Sequence, residues 1–221
     1  MAGVYVQYGC GFSAGKGWLN FDASPTLRIE RIPLVGNAIS AALSGSRQRF
    51  PSTVRYGDIR KSLLVQAGTA DAIYASHVLE HLSLYDFRKA LRNTYEMLRH
   101  GGVFRLIVPD LLERARRYVS TADEGSITAE AFMRETFLGK EHRPTGIVGL
   151  LRELLGNSAH LWMWDEISIT EELKRAGFAE IRRCVIGDSG LDIFDAVEMP
   201  SRFHDSSLNI RECAMEARKP I

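Results

Sequence analysis

A pair of glycines after the first apolar run limits what the amino-terminal part of this chain can form. Residues 4–8 favour a β-strand, and Gly9 and Gly11 follow that run almost at once. Glycine is common where the backbone takes a positive φ or approaches a bound group closely. Asp22 ends a second strand-like run, residues 18–22, only ten residues after Gly11. Because that spacing leaves no room for a full helix, we predict a turn between the two strands.

The same residues predict a ligand site at the ends of these two strands. An acidic side chain such as Asp22 can accept hydrogen bonds from the hydroxyls of a ribose that lies across the strand ends. The alternative is that Gly9 and Gly11 only form a turn and that Asp22 only caps the following Ser24 and Pro25. A nicotinamide cofactor is disfavoured, because its pyrophosphate needs a helix N-terminus directly after the glycine loop.

The clearest helix is predicted for residues 83–100. Ser83 with Asp86 resembles a capping box at its start, and the pair Gly101-Gly102 indicates its end. Its apolar side chains recur at helical spacing: Leu84, Phe87, Leu91, Tyr95 and Leu98.

Short strand-like runs surround this helix. They are residues 18–22, 53–56, 70–75, 103–108, 179–186 and 208–217. Shorter helices are predicted around residues 38–43 and after Ser168, which forms a capping box with Glu171. A chain of 221 residues fits one core. We therefore predict one α/β domain, residues 1–221, with a Rossmann-like, doubly wound, mostly parallel seven-stranded sheet whose last strand is antiparallel.

Residues 110–165 lack any strand signal and contain three amphipathic runs, residues 111–119, 128–138 and 147–155. This pattern predicts a helical insertion that covers one edge of the sheet as a lid. Such insertions often shape a substrate pocket.

Composition excludes several classes of function. The 28 basic and 27 acidic side chains give a net charge of +1, so no broad basic surface for nucleic acid is expected. The first residues lack the basic and apolar pattern of a signal peptide and no apolar run is long enough to span a membrane, so we expect neither secretion nor a membrane span. Three widely spaced cysteines do not predict a disulfide framework or a zinc ribbon. We expect a soluble cytoplasmic protein without a nucleic-acid or membrane partner.

Four motifs together resemble the class I S-adenosylmethionine-dependent methyltransferases, and more narrowly a small branch found in bacterial polysaccharide gene clusters. The resemblance covers nearly the whole chain and implies S-adenosylmethionine as the cofactor. The motifs are Tyr8-Gly9-Cys10-Gly11, Gly17-Trp18-Leu19-Asn20-Phe21-Asp22, Ala75-Ser76-His77-Val78-Leu79-Glu80-His81 and Leu98-Arg99-His100-Gly101-Gly102.

The resemblance also implies a set of cofactor-binding residues. The glycine loop would pass under the methionine part, Asp22 would hold the ribose, Asp58 would meet the adenine amino group and Ile59 would pack on the adenine ring. Asp58 could equally be an ordinary acidic loop residue, and Ile59 could equally be an ordinary buried apolar residue, without any contact to adenine. Gln7 departs from the acidic residue common in the family, and it can bind without supplying charge. The full set is Gln7, Gly9, Cys10, Gly11, Asp22, Asp58, Ile59, Ser76 and His77.

Methyl transfer from a sulfonium needs a general base only when the acceptor is weakly acidic. Histidines are the candidates for such a base, because histidine titrates near neutral pH. His77 lies beside the expected methyl donor, and His160 lies on the acceptor side before two tryptophans. The alternative is that these histidines only pack at junctions and that no base is used. For contacts to a small-molecule or sugar-linked acceptor, with oxygen as the favoured atom, the candidates are His81, Asp110 and Trp162.

Other side chains of the insertion are further candidates for the acceptor. Arg114 and Arg117 share one helical face and are expected to be solvated more often than to bind an anion. His142, Arg143 and Trp164 complete this group.

His77, Glu80 and His81 also spell the H-x-x-E-H zinc pattern of inverted metalloproteases. That pattern needs a helix, whereas the helix here is predicted to begin only near Ser83, so we expect no metal.

Two other functions stay open at this stage. A Rossmann-like nucleotide-binding protein without catalysis would keep the same glycines and Asp22. An enzyme that uses NAD or a nucleotide sugar would also place Asp22 on a ribose. Competition between NAD and S-adenosylhomocysteine in a thermal-shift assay would separate these alternatives.

Overall fold

The computed structural model describes residues 3–44, 48–122, 127–141, 145–146 and 159–221. Two short 3₁₀ turns, Leu79–His81 and Asp192–Ala196, accompany the helices and strands. In chain order these are β1 (Tyr5–Tyr8), β2 (Leu19–Asp22), α1 (Pro25–Glu30), α2 (Gly36–Ser44), β3 (Arg55–Tyr56), β4 (Ala70–Ser76), α3 (Leu84–Met97), β5 (Leu98–Val108), α4 (Leu111–Ala122), α5 (Ala129–Glu135), α6 (Glu166–Ala176), β6 (Ala179–Arg183), α7 (Pro200–Phe203), β7 (His204–Asp205), β8 (Ile210–Arg211) and β9 (Cys213–Arg218).

Seven strands form one sheet in the order β3-β2-β1-β4-β5-β9-β6. In this sheet β9 runs antiparallel to both β5 and β6, and the other neighbouring strands are parallel. The predicted Rossmann-like, mostly parallel α/β fold is therefore confirmed, including its antiparallel last strand. The chain moves outward from β1 to β3 and then returns to β4 on the other side of β1. Ligands of open parallel sheets bind at such a reversal, outside the carboxyl ends of the strands.

The sheet is buried on both faces at β4, as its apolar run predicts. Ala72, Ile73 and Ala75 are fully buried. One face is covered by α3, whose Phe87 stacks on Trp164 with ring centroids 4.0 Å apart. Trp164 is itself buried, so the end of the insertion contributes to the core.

The helix predicted for residues 83–100 ends earlier. Its start is correct, because the Ser83 hydroxyl accepts a hydrogen bond from the Asp86 amide at 3.2 Å. Its end is wrong, because β5 begins at Leu98. Leu98 is buried and paired with Ala70, and the Lys219 ammonium donates to the Leu98 carbonyl at 2.8 Å. These long-range contacts override the helical spacing.

Two predicted strands differ from the structure. The run 179–186 is a strand only to Arg183, after which Asp188 accepts from the Val185 amide and forms a turn. The run 208–217 is divided at Glu212 into β8 and β9.

The insertion contains α4 and α5, which agree with two of its three predicted runs. The third run, residues 147–155, lies outside the described residues. The Leu111 amide donates to the Trp164 carbonyl at 2.8 Å, so the two ends of the insertion meet. Its role as a lid and the domain bounds stay predictions. Within the described part of the chain, no helix has the length and hydropathy needed to cross a membrane.

The capping box of α6 is formed by Asp165 and Ser168, and the predicted pair Ser168 with Glu171 is wrong. Asp165 is the N-cap and accepts from the Ser168 amide at 2.8 Å, while Ser168 accepts from the Asp165 amide at 3.2 Å. Glu171 is exposed and lies beyond the first turn. An acidic residue at the N-cap also interacts favourably with the helix dipole.

The variant Asp165→Ala should lower the free energy of unfolding by about 1 kcal/mol, because it removes the cap of α6. Glu171→Ala should change it by less than about 0.5 kcal/mol, since that side chain is exposed. Urea unfolding of both variants measures the difference. Equal losses in the two would contradict the Asp165 cap.

Candidate active site

The glycine loop after β1 combines a packing constraint with an open face. Gly9 has a φ of 63°, and a Cβ there would lie 2.3 Å from a methyl group of Val78. Gly11 has a φ of 54°, but a Cβ there would meet no described atom within 4 Å. Packing therefore requires glycine at position 9, whereas the backbone at Gly11 faces space that a ligand can enter.

Side chains, and not a helix, hold the segment between β1 and β2. The Gly15 amide donates to both Gln7 Oε1 at 3.1 Å and Asn20 Oδ1 at 3.0 Å. The Asn20 amide group returns hydrogen bonds to the carbonyls of Gly15 and Trp18. The turn expected from the ten-residue spacing is confirmed. Gln7, which we expected at the cofactor, uses its side-chain oxygen to fix this loop.

Asp22 is buried at the end of β2 and is connected to the glycine loop. Its Oδ2 accepts from the Gly11 amide at 2.8 Å, and its Oδ1 accepts from the Ser24 amide at 2.7 Å. Asp22 therefore does cap the Ser24 amide, as one of the two interpretations of the sequence predicts. A carboxylate has about four lone-pair positions, so two remain for a ligand's hydroxyls.

The other expected cofactor residues differ in their surroundings. Asp58 is buried and is held by Arg60 Nε and Nη2, both at 2.8 Å. Burial raises the pKa of the Asp58 carboxyl. The hydrogen bonds and the charge of Arg60 lower it by more than burial raises it, so the net shift of the pKa is downward. Ile59 packs in the main core. Burial raises the pKa of the Cys10 thiol to about 12, so Cys10 is a protonated apolar side chain.

His77 directly follows β4 in a backbone conformation that side chains rarely adopt, with a φ of 54°. Its amide donates to the Ile107 carbonyl at 2.9 Å, which anchors the turn to β5. Its Nδ1 lies 3.0 Å from the Ser76 hydroxyl, and its Nε2 lies 3.9 Å from Glu212 Oε1. The imidazole is thus oriented by one neighbour and faces a carboxylate on its other side.

Glu212, which the sequence did not identify as a site residue, is a buried acceptor for several groups. Arg114 donates to both of its oxygens at 2.8 and 2.9 Å, and the Asp110 amide donates at 3.1 Å. Burial raises the pKa of the Glu212 carboxyl, but the hydrogen bonds and charge of Arg114, together with the neighbouring His77, lower it to about 2. The sequence signal that could have identified Glu212 is its position, an acidic residue directly before the apolar run Cys213-Ala214-Met215.

Arg114 and Asp110 therefore have structural partners. Arg114 is buried, so its expected place on a solvated face is wrong. Asp110 is also buried. Its Oδ1 caps α4 by accepting from the Leu112 and Glu113 amides, and its Oδ2 accepts from Arg183 at 2.8 Å. Asp110 is therefore a helix cap and an ion-pair partner, and its expected contact to an acceptor stays a prediction.

His81 and His160 come together although 78 residues separate them in sequence, with ring centroids 5.0 Å apart. Burial and the neighbouring His81 lower the pKa of His160 to about 4, and burial lowers the pKa of His81. Glu80 lies beside them, and burial raises the pKa of its carboxyl to about 8. Trp162 is partly exposed next to this group, and His142 and Arg143 lie outside the described residues.

The carboxyl edge of β1, β2 and β4 thus carries a glycine loop open to a ligand, a buried carboxylate beside it and an oriented histidine. A comparison with protein families matches residues 10–182 to the methyltransferase domain family. The chain belongs to this family. It is a class I S-adenosylmethionine-dependent methyltransferase, and S-adenosylmethionine is its cofactor.

Solved structures with a similar fold include other methyltransferases. One is an S-adenosylmethionine-dependent methyltransferase from Archaeoglobus fulgidus, 12% identical with a TM-score of 0.48, where the alignment covers 99% of this chain and 86% of that one. Another is human N-acetylserotonin methyltransferase in complex with S-adenosylmethionine, 15% identical with a TM-score of 0.47, covering 99% and 48%. This chain spans about half the length of the human enzyme. A search of curated proteins gave no match.

If Asp22 holds the ribose, Asp22→Asn should weaken the binding of S-adenosylhomocysteine by about 10-fold to 100-fold, because a hydrogen bond to a charged group contributes about 1.5–3 kcal/mol. Isothermal calorimetry measures the dissociation constant. Glu171→Gln, which changes an exposed acid, should bind like the unchanged protein. An unchanged dissociation constant for Asp22→Asn would remove the ribose assignment.

Glu212→Gln should destabilise the fold by about 3–5 kcal/mol near pH 7, because it leaves Arg114 buried and without its charged partner. The Glu212 carboxyl has a pKa of about 2 when folded and an ordinary value of 4.5. Its stabilising effect is therefore present above the ordinary value and is lost as the pH falls towards 2.

The difference in unfolding free energy between the two proteins should accordingly shrink by about 2 kcal/mol between about pH 6 and pH 3. Urea unfolding at several pH values tests this, with Glu171→Gln as the exposed control. A difference independent of pH would show that Glu212 does not titrate as its contacts require.

Proposed function

We propose that the protein transfers the methyl group of S-adenosylmethionine to an oxygen atom of a small-molecule or sugar-linked acceptor, with His77 as the general base. Gly11 and Asp22 would hold the cofactor, and Asp58 and Ile59 would hold its adenine. His77 lies at the same carboxyl edge of the sheet, so donor and base would share one crevice.

S-adenosylmethionine supplies an electrophilic methyl carbon on a sulfonium. In the reaction the acceptor oxygen forms a bond to that carbon, the carbon–sulfur bond breaks, and the electron pair of that bond stays on sulfur. His77 would accept the hydroxyl proton of the acceptor. Alignment of donor and acceptor supplies most of the acceleration, and a positioned base adds about 10²-fold to 10⁴-fold.

The observation that carries this proposal is the orientation of the His77 ring. When His77 Nδ1 donates its hydrogen to the Ser76 hydroxyl, Nε2 keeps a lone pair that can accept a proton. The imidazolium formed would then lie 3.9 Å from the Glu212 carboxylate, which stabilises it. A left-handed φ costs a non-glycine residue about 1–3 kcal/mol, and such strain concentrates at functional sites.

His160 is the weaker of the two candidate bases. Its pKa of about 4 means that it binds a proton poorly near neutral pH. We therefore assign proton removal to His77 and place His81, His160 and Trp162 on the acceptor side of the same edge.

We also propose a cytoplasmic protein that acts on small acceptors and not on nucleic acid. Cys10, Cys184 and Cys213 are all free and buried, which fits a reducing compartment. The near-zero net charge supplies no broad basic surface.

His77→Asn should lower kcat by about 10²-fold to 10⁴-fold on a hydroxyl acceptor, because it removes the base. Asparagine tolerates the left-handed backbone, so this variant should keep its fold. Methyl transfer from radiolabelled S-adenosylmethionine to a panel of hydroxyl, amine and thiol acceptors measures the rate. His100→Asn, at an exposed histidine, serves as the control.

In His77→Asn the dissociation constant of S-adenosylhomocysteine should change much less than kcat, which separates a role of His77 in the chemical step from its expected contact with the cofactor. An unchanged kcat in His77→Asn would remove the base assignment. Methylation of amines alone would contradict the oxygen acceptor. Cofactor binding without turnover on any acceptor would favour a binding protein.

A further inference from the structure

Three side chains outside the His77–Glu212 pair form a compact group of potential metal ligands. Glu80 and His81 lie in the 3₁₀ turn after β4, and His160 comes from the end of the insertion. One donor atom from each lies within 4.8 Å of the other two. We call these three residues the Glu80 cluster.

The Glu80 cluster contains polar atoms that the described residues do not satisfy. Neither carboxylate oxygen of Glu80 accepts a hydrogen bond from any described group, although the residue is only 1% exposed. The buried Nδ1 of His160 also lacks a partner among these residues. Orphaned buried polar atoms are rare and costly. Their convergence on one point indicates a bound group there.

The tautomer of His81 decides which kind of group fits. Its Nδ1 lies 3.0 Å from the Ala159 carbonyl, which can only accept, so Nδ1 carries the hydrogen. Nε2 therefore presents a lone pair, 3.9 Å from Glu80 Oε1. Metal-binding histidines have this arrangement, in which a carbonyl holds the second ring nitrogen. The distance is too long for a direct hydrogen bond between Nε2 and the carboxyl group.

Backbone hydrogen bonds already connect the two parts of the cluster. The amides of Leu161 and Trp162 both donate to the Glu80 carbonyl, at 2.8 and 3.2 Å. The segment that carries His160 is therefore fixed against the 3₁₀ turn in the chain as it stands. Little rearrangement is needed, because two ligands of one zinc ion lie about 3.3 Å apart.

We propose that Glu80, His81 and His160 bind one divalent transition-metal ion, with Zn²⁺ as the best fit. Two imidazole nitrogens and one carboxylate suit zinc and its neighbours better than Mg²⁺ or Ca²⁺, which prefer oxygen ligands alone. Three protein ligands leave a fourth position open to water or another oxygen ligand.

This site differs from the H-x-x-E-H pattern in the sequence. In that pattern His77 and His81 would be the ligands and Glu80 the base, but His77 Nε2 faces Glu212. His160 takes the place of His77, and it comes from a distant part of the chain. The expectation of no metal followed from the local motif alone, which did not contain the third ligand.

Zinc titrated into chelator-treated, dialysed protein should bind with a stoichiometry of one by calorimetry. Co²⁺ should give visible absorption bands typical of bound imidazole and carboxylate. His160→Gln and Glu80→Gln should each weaken binding by at least ~100-fold, whereas the exposed-site control His100→Gln should bind like the unchanged protein.

Zinc should also raise the melting temperature of the unchanged protein and of His100→Gln, but not that of His160→Gln. Because His160 is only partly buried, His160→Gln remains informative if Glu80→Gln does not fold. Absence of saturable binding, or equal binding by His160→Gln, would overturn the site and leave a proton on Glu80 or a water as the bound group. None of these measurements depends on methyl transfer.

Discussion

The buried carboxylate of Glu212 connects four parts of the chain at the carboxyl edge of the sheet. Arg114 on α4 donates to both of its oxygens, the Asp110 amide donates from the end of β5, and His77 faces it from the end of β4. An ion pair in this position is stable only because each charge faces the other, since removing either leaves an uncompensated buried charge. The insertion, the last strand and the proposed base are therefore fixed by one group.

These contacts lie at the edge of the sheet where the strand order reverses between β1 and β4. Residues Gln7 and Tyr74 are neighbours in the sheet, so the glycine loop and the turn at His77 emerge side by side. The residues proposed to hold the cofactor through its ribose and adenine come from one side of the reversal, and the proposed base comes from the other. The Glu80 cluster lies one turn further along, between the sheet edge and the insertion.

Local rules predicted part of this architecture. The turn between β1 and β2, the start of α3 at Ser83 and the buried strand β4 depend on residues close in sequence, and all three are confirmed. The end of α3 and the cap of α6 were wrong. At Leu98, pairing with β4 competes with helical spacing. At α6 two cap patterns overlap, Asp165 with Ser168 and Ser168 with Glu171. The sequence cannot rank them, because the choice depends on the residue at which the backbone enters the helix.

The sequence alone determined the α/β class, the glycine loop, Asp22 at the second strand and the family resemblance, because each depends on spacing within a short segment. Only the tertiary structure decided that Glu212 pairs with Arg114 and faces His77, that Asp110 is a helix cap, and that His160 meets Glu80. Burial and distance set these roles. A buried charge needs a partner, and the local sequence does not indicate which distant residue will be that partner.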